Sequence, residues 1–364
     1  MYSLAQDGYT SDEVRGLLTQ SRTVSFGFDI LDKNDRAIGE IHSPDCKIYN
    51  NSEASIQRSA SLTIIEDKDI DYASDRLRPY MRLKTQTGAL VYPLGIFLMS
   101  SPSRRAVGGV INRSVDCYDK TQILEDDRFD SRYTVAKNTA YTAAVANIVA
   151  SAGITQTDIT PSALETANAI EFPLGTSKLK ACNALLEAIN YSPLYADSFG
   201  YIRSRPYQDP AARAIDAFYA TDKASIVSPG AKEELDIFFS PNKIIRYLEN
   251  AEREYIIASA VNDDPNSKLS TVSRGRTIVD IAAVSDVANQ SELDAMVARL
   301  LAEHKIYQKI TFETMTIPNH EYCDCLYVDN SELDVSGKYI ETAWEMELKT
   351  GGKMKHLCRK AVSL

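Results

Sequence analysis

Two periods alternate along this chain of 364 residues. Val24, Phe26, Phe28 and Ile30 take every second position, with Ser25, Gly27 and Asp29 between them. That spacing predicts a half-buried strand. Residues 32–36 have turn chemistry and an apolar stretch returns at 37–41, so a hairpin is expected. Further short strands are predicted at 59–65, 79–85, 90–99 and 110–118, separated by Gly-containing turns. Such a run suggests a small barrel or sandwich rather than a parallel sheet. Before it, residues 10–20 offer a short helix, with Thr10 or Ser11 as cap and Asp12 and Glu13 in the first turn.

From about residue 130 the period becomes helical. Ala144, Val145, Ile148 and Val149 form the stripe of a helix over 141–152, with Gly153 at its end. Ser177 caps a second helix with Leu179, Cys182, Leu185, Leu186 and Ile189 on its apolar side, stopped by Pro193. Strands then recur at 194–205 (a hairpin), 214–220, 243–249, 255–260 and 276–283. A long helix is expected over 289–305. Asn289 and Glu292 are spaced as a capping box, and Leu293, Met296, Val297, Leu300 and Leu301 form its stripe. Strands at 309–317, 321–328, 338–349 and 355–362 close the chain. Two strand-rich blocks thus flank an α-rich insert. We expect residues 20–125 and about 194–364 to form separate β-rich domains, with no single sheet running through both.

Composition narrows the function. Hydrophobic residues are 44% and charged residues 25%, as in ordinary globular domains. No apolar run approaches the ~20 residues needed to span a bilayer, and the first 20 residues lack a signal-peptide pattern. Synthesis and folding in a cytoplasm, without membrane insertion, are expected. A net charge of −10 argues against gripping nucleic acid by its phosphates. It does not bar DNA from sliding past. The cysteines, Cys46, Cys117, Cys182, Cys323, Cys325 and Cys358, follow no disulfide-scaffold spacing and read as reduced and mostly buried.

Catalytic chemistry is thinly represented. The histidines are His42, His304, His320 and His356, and no GxSxG elbow occurs. Residues 175–178 read as a helix start, not a phosphate loop. His320-Glu321 opens like a zinc-protease motif, but position 324 is Asp and the segment reads as strand. The best metal candidate is His320, Cys323, Cys325, His356 and Cys358, because residues two apart on a strand share a face. Small core residues beside surface histidines explain the same positions. We expect no metal and no cofactor there, and no catalysis. The loop at 262–264 lacks the spacing of a calcium site.

Several segments together resemble the baseplate hub, or N-terminal tail-associated, proteins of phages. They are Leu77-Arg-Pro79, the run from Tyr92 to Pro102, the run from Val115 to Thr121, Tyr133-Thr134, and Ala140 to Ala143 opening a helix. Leu179 to Tyr191 and Tyr195-Ala-Asp197 with Gly200 complete the set. Order and spacing carry the likeness, best over residues 20–210. The resemblance implies an α+β, β-rich fold: two β-barrel-like domains with an α-rich insert between them and one long helix in the C-terminal half. The expected boundaries are 1–125, 126–193 and 194–364, with the helix at 289–305 in the last. It also implies a structural tail-tip protein of the virion, assembled in the host cytoplasm. As a homotrimer it would make a pseudo-six-fold ring and line the DNA ejection channel. The tail tube or distal tail protein, the tape-measure protein and a central spike or fibre would be its partners, with DNA only as passing cargo. Many tail-associated proteins continue into a peptidase, hydrolase or fibre. This chain ends at Leu364, so host binding or lysis is expected on other chains. The alternative is a zinc-dependent hydrolase of the tail tip built on the Cys/His set.

One strand carries a sharper expectation. Over 338–349, Ile340, Thr342, Trp344, Met346 and Leu348 alternate with Glu341, Ala343, Glu345 and Glu347. Trp344 should anchor the apolar face in the second β-rich domain. Glu341, Glu345 and Glu347 either face solvent or line the channel, where they would repel phosphates.

Overall fold

A computed structural model describes residues 1–65, 70–221, 226–235, 237–248, 256–284, 286–304 and 308–361. Glu249, Tyr255, Lys305 and Val362, expected at the ends of four elements, lie outside these residues. The first helix, Ser11–Thr19, begins as its sequence dictates. The Thr10 side chain accepts from Glu13 N and Glu13 returns a bond to the cap, a complete capping box. The strands Val24–Leu31 and Ala37–Ile41 form the expected antiparallel hairpin.

Strand pairing produces a single 15-stranded sheet. Its path begins at the edge strand Lys232–Leu235 and passes through Gln308–Met315, Lys353–Lys360 and Val335–Glu347. It continues through Asp45–Asn51, Arg58–Ile65 and Val110–Asp119 to the hairpin at 24–41. The seam lies where Ala343 to Glu347 pair antiparallel with Asn51 to Lys47. The expectation of separate β-rich domains is therefore corrected: one sheet runs through both strand-rich blocks. The fold is β-rich with few helices, and no closed barrel occurs among the described residues.

The strand at the seam serves two cores because it is bulged. Glu341 pairs with Cys358 and Ala343 with Leu357, leaving Thr342 as an extra residue. Before the bulge Tyr339 points into a core with Phe312, Leu326 and Cys358. After it Trp344, Met346 and Leu348 point into a larger core with Ile48, Leu62, Met81 and Phe97. The single alternating face expected over 338–349 is thus wrong in phase on one side of Thr342. Trp344 is buried in a core that Ile317 and Met354 of the second β-rich block share with many residues of the N-terminal block.

The insert packs helices Tyr141–Ser151 and Lys178–Glu187 together around Val145, Ile148, Cys182 and Leu186. Ser177 caps the second helix by accepting from Lys180 N. This core also includes Leu124 on one side and Leu194, Ala196 and Ile202 on the other. A last unit sets the helix Gln290–His304 on a three-stranded sheet of Lys243–Leu248, Ile256–Val261 and Val279–Val284. Leu293, Met296, Val297 and Leu301 bury its stripe, and Asn289 Oδ1 accepts from Glu292 N at 3.0 Å.

Gly95 is required where it stands. Its φ is +138°, and an added Cβ would lie 2.6 Å from the Phe97 ring and 3.3 Å from Arg58 Cδ. Phe97 is fully buried and cannot yield. Gly95→Ala is expected to destabilise the fold by ~2–3 kcal/mol through overpacking and backbone strain. Urea denaturation checks this, and a cost below ~0.5 kcal/mol would contradict the packing described.

Candidate functional site

Arg58 is the largest fully buried side chain, 1% exposed, on the face of its strand shared by Ala60, Leu62 and Ile64. Its guanidinium donates to Ser198 Oγ at 2.8 Å, to the Leu94 carbonyl at 3.3 Å and to Glu321 Oε2 at 2.7 Å. It also lies 5.3 Å from the centre of the Trp344 ring. Glu321 accepts from Ser198 N at 2.9 Å, and the backbone of Arg58 donates to Asp119 at 2.8 Å. One cation therefore ties the N-terminal block, the hairpin after the insert and the C-terminal block. Burial pushes the Glu321 carboxyl up, with Arg58 opposing it.

A second buried group sits behind the bulge. Glu341 is 1% exposed, and each carboxylate oxygen faces an imidazole: His320 Nδ1 at 2.6 Å and His356 Nδ1 at 2.5 Å. The outer nitrogens are also engaged, with Tyr219 Oη 2.7 Å from His320 Nε2 and Thr314 Oγ1 2.8 Å from His356 Nε2. Burial alone would raise the Glu341 carboxyl, but the two histidines outweigh it and bring it down to about 2. Burial lowers His356, with Glu341 opposing. The arrangement is a carboxylate held between two N–H donors. Among the described residues, these three are the side chains whose ligand atoms converge as a metal set would, within 4.8 Å. No cysteine joins them. All three are buried, so no substrate reaches them in this conformation.

The other residues singled out in the sequence fall elsewhere. Glu341 cannot line a channel, because the bulge turns it inward. Glu345 and Glu347 lie on the outer face, but Lys47 sits 2.8 Å and 3.3 Å from them and Lys349 lies 3.0 Å from Glu347. The patch is charge-balanced rather than acidic. His320 and Cys323 lie in the irregular segment before the strand Cys325–Asn330, and Cys323 has φ +51°. Cys323 and Cys325 thus do not share a strand face, whereas His356 and Cys358 do and both are buried.

A cavity of about 550 Å³ opens between the insert, the long helix and the C-terminal strands. Arg205, Arg213, Arg299 and Arg359 line it, with Glu53 and Glu303. The Tyr195 and Tyr322 rings stack on its wall at 4.6 Å. Elsewhere, the outer face of the small sheet leaves Ile257, Val261, Val279 and Ile281 exposed, Ile281 by 59%. Phe238 and Phe239 are exposed nearby in sequence, Phe239 by 79%.

No protein-family description matches this sequence, and no curated protein matches it as a relative. Solved structures do match. A tail protein from Neisseria meningitidis aligns with a TM-score of 0.68 at 12% identity, covering 92% of this chain and 97% of that one. The 43 kDa tail protein of prophage MuSo2 from Shewanella oneidensis aligns at 0.63 and 12%, covering 92% and 98%. The chain shares the fold of phage tail proteins. Prophage tail protein gp18 from Listeria monocytogenes agrees, at 0.58 and 12%, with 93% and 95% covered. A chain of the Francisella PdpA–VgrG complex aligns at 0.53 and 9%, and there this chain spans 55% of the other's length. The tail-protein fold thus covers some nine-tenths of this chain, at identities too low to transfer individual residues.

Proposed function

We propose that this chain is a structural subunit of a phage-type tail tip: a hub on which other tail components are mounted, without catalysis. The observation that carries this reading is the tail-protein fold, matched over nine-tenths of this chain and of three separate tail proteins. The buried groups support it. Arg58 is spent on holding blocks of the chain together and Glu341 on clasping two histidines within the C-terminal block, and among the described residues no cysteine joins that cluster. In the virion, three copies form a ring joining the tail tube or distal tail protein to a spike or fibre, with the tape-measure protein and DNA passing through. The two β-rich blocks, 1–125 and 194–364, then supply the ring's repeated surfaces, although they share a sheet within each chain. Glu345 and Glu347, balanced by Lys47 and Lys349, give any passage wall a near-neutral patch that does not hold phosphates.

The exposed apolar face at Ile257, Val261, Val279 and Ile281 is where a neighbouring copy would pack, since patches of this kind mark interaction surfaces. Ile281→Glu combined with Val279→Lys should leave the thermal melt of the isolated chain within ~1 kcal/mol of wild type. It should abolish assembly, read by sedimentation of the wild-type and altered chains with the tail tube protein. If the altered chain assembles as wild type does, this face is not the contact. If wild type never exceeds a monomer with its tail partners, the ring is wrong.

A further inference from the structure

The cavity between the insert, the long helix and the C-terminal strands has the features of a ligand site. Its volume, about 550 Å³, falls within the ~300–1,000 Å³ usual for small binding pockets. Four arginines against two glutamates line it, in a chain whose net charge is −10. Three of the arginines are already engaged. Arg205 lies 2.8 Å from Asp158, Arg213 donates to the Cys323 carbonyl at 2.7 Å, and Arg359 pairs with Glu53. Arg299 has no hydrogen bond or ion pair among the described residues. It lies 5.3 Å from the centre of the Tyr207 ring, and its buried Nε has no acceptor. Leaving a buried donor unpaired is costly, so an acceptor entering the cavity would be favoured.

The rest of the lining says what kind of acceptor. One unsatisfied guanidinium matches one negative charge, bound through a planar two-pronged contact. A phosphate group carries about 1.5–2 negative charges and would meet Glu53 and Glu303 without a second free cation. Burial pushes the Glu303 carboxyl up, with Arg299 and Arg359 opposing it. The wall beside it is flat and apolar. Tyr195 and Tyr322 stack with their planes 15° apart, and Pro193, Pro206 and Pro210 continue the surface. Aromatic-lined grooves of this sort accept extended chains.

We propose that this cavity binds an extended peptide segment of a partner protein carrying one carboxylate beside an aromatic side chain. Arg299 receives the carboxylate and the Tyr195–Tyr322 pair faces the aromatic ring. The site lies within one chain, so it does not depend on the ring proposed above and can be tested on the isolated protein.

The test is fluorescence polarisation with fluorescein-labelled hexapeptides. In the panel, one Glu or Asp stands before, between or after two Tyr or Phe residues, and each peptide has a Gln or Asn counterpart. At least one acidic peptide should bind saturably, and its amide counterpart at least tenfold more weakly. Arg299→Met, which keeps the aliphatic stem, should weaken the acidic peptide tenfold and leave the amide peptide unchanged. Gln208→Trp, at an exposed lining position, should block both, and serves if Arg299→Met fails to fold. The proposal is overturned if no peptide of the panel binds up to millimolar concentration, or if acidic and amide peptides bind alike. Binding that survives Gln208→Trp, or inorganic phosphate displacing the peptide at lower concentration than free acetate does, would also overturn it.

Discussion

Replacing Arg58 with methionine is expected to destabilise the fold by about 3–5 kcal/mol, the largest loss of any single substitution of a charged residue in this chain. Methionine restores most of the packed volume beside Trp344, so the loss is electrostatic rather than a cavity effect. What remains is Glu321, 13% exposed, facing Ser198 with its cation gone. A carboxylate with so little access to water must bind a proton or draw the chain apart to hydrate itself. The companion experiment is Arg58→Met with Glu321→Gln. Removing the stranded charge should recover ~1–3 kcal/mol relative to the single substitution, a coupling read from urea melts as a double-mutant cycle. If Arg58→Met costs under ~1 kcal/mol, or the two changes add, Arg58 is not the tie between the three blocks.

Arg58 was visible in the sequence as a conflict. It shares the period-two phase of Ala60, Leu62 and Ile64, so a strand read one residue earlier places a guanidinium on an apolar face. An arginine there needs a carboxylate, but the sequence does not say that the partner stands 263 positions away. Local signals fared well for the same reason that distant ones did not. The capping box at Thr10 and Glu13, the caps at Ser177 and Asn289 and the stripe of the long helix are settled by neighbours in the chain, and all appear in the structure. The seam between Asn51 and Ala343 joins segments almost 300 residues apart, and nothing in either strand's pattern names its partner. Two strand-rich blocks therefore read as two domains, where pairing makes one sheet.

The bulge at Thr342 was illegible for a different reason. Alternation is informative only while every residue is paired. One extra residue reverses the phase for everything beyond it. On the unbroken pattern Glu341 joins Glu345 and Glu347 as an outer acidic face. With the bulge, it joins Tyr339 in the interior, while Trp344 keeps an inward position in another core. The histidine partners could be guessed only in part. His356 and Cys358 share a face of one strand, but His320 reaches the site from an irregular segment.

That buried carboxylate gives the fold a predictable response to acid. Glu341→Gln offers one carbonyl oxygen where two N–H groups need acceptors, and turns an amide N–H₂ toward the second. The expected cost at pH 7 is ~2–4 kcal/mol, from one unpaired buried donor and the lost charge. The cost should shrink as pH falls. Glu341 sits at about 2 in the folded chain, against ~4.3 when unfolded. Its stabilisation is therefore fully present above the unfolded value and is lost as pH falls through the folded one. His356 acts in the same direction at higher pH. Its folded value is lowered by burial, so stability present above ~6.5 declines as the unfolded chain takes up a proton that the folded site resists. Asp324 and Glu321, raised by burial, work the other way: their contribution is present below ~4 and is lost as pH rises through their folded values. Both proteins carry those two groups, so the difference between wild type and Glu341→Gln isolates the clasp. Urea melts at pH 7, 5 and 3 should show that difference undiminished between pH 7 and 5 and clearly smaller at pH 3, as protons reach the carboxylate of the unfolded chain. A constant difference would mean that the carboxylate is not ionised between its histidines, and a difference near zero at pH 7 would mean that the clasp does not hold the sheet.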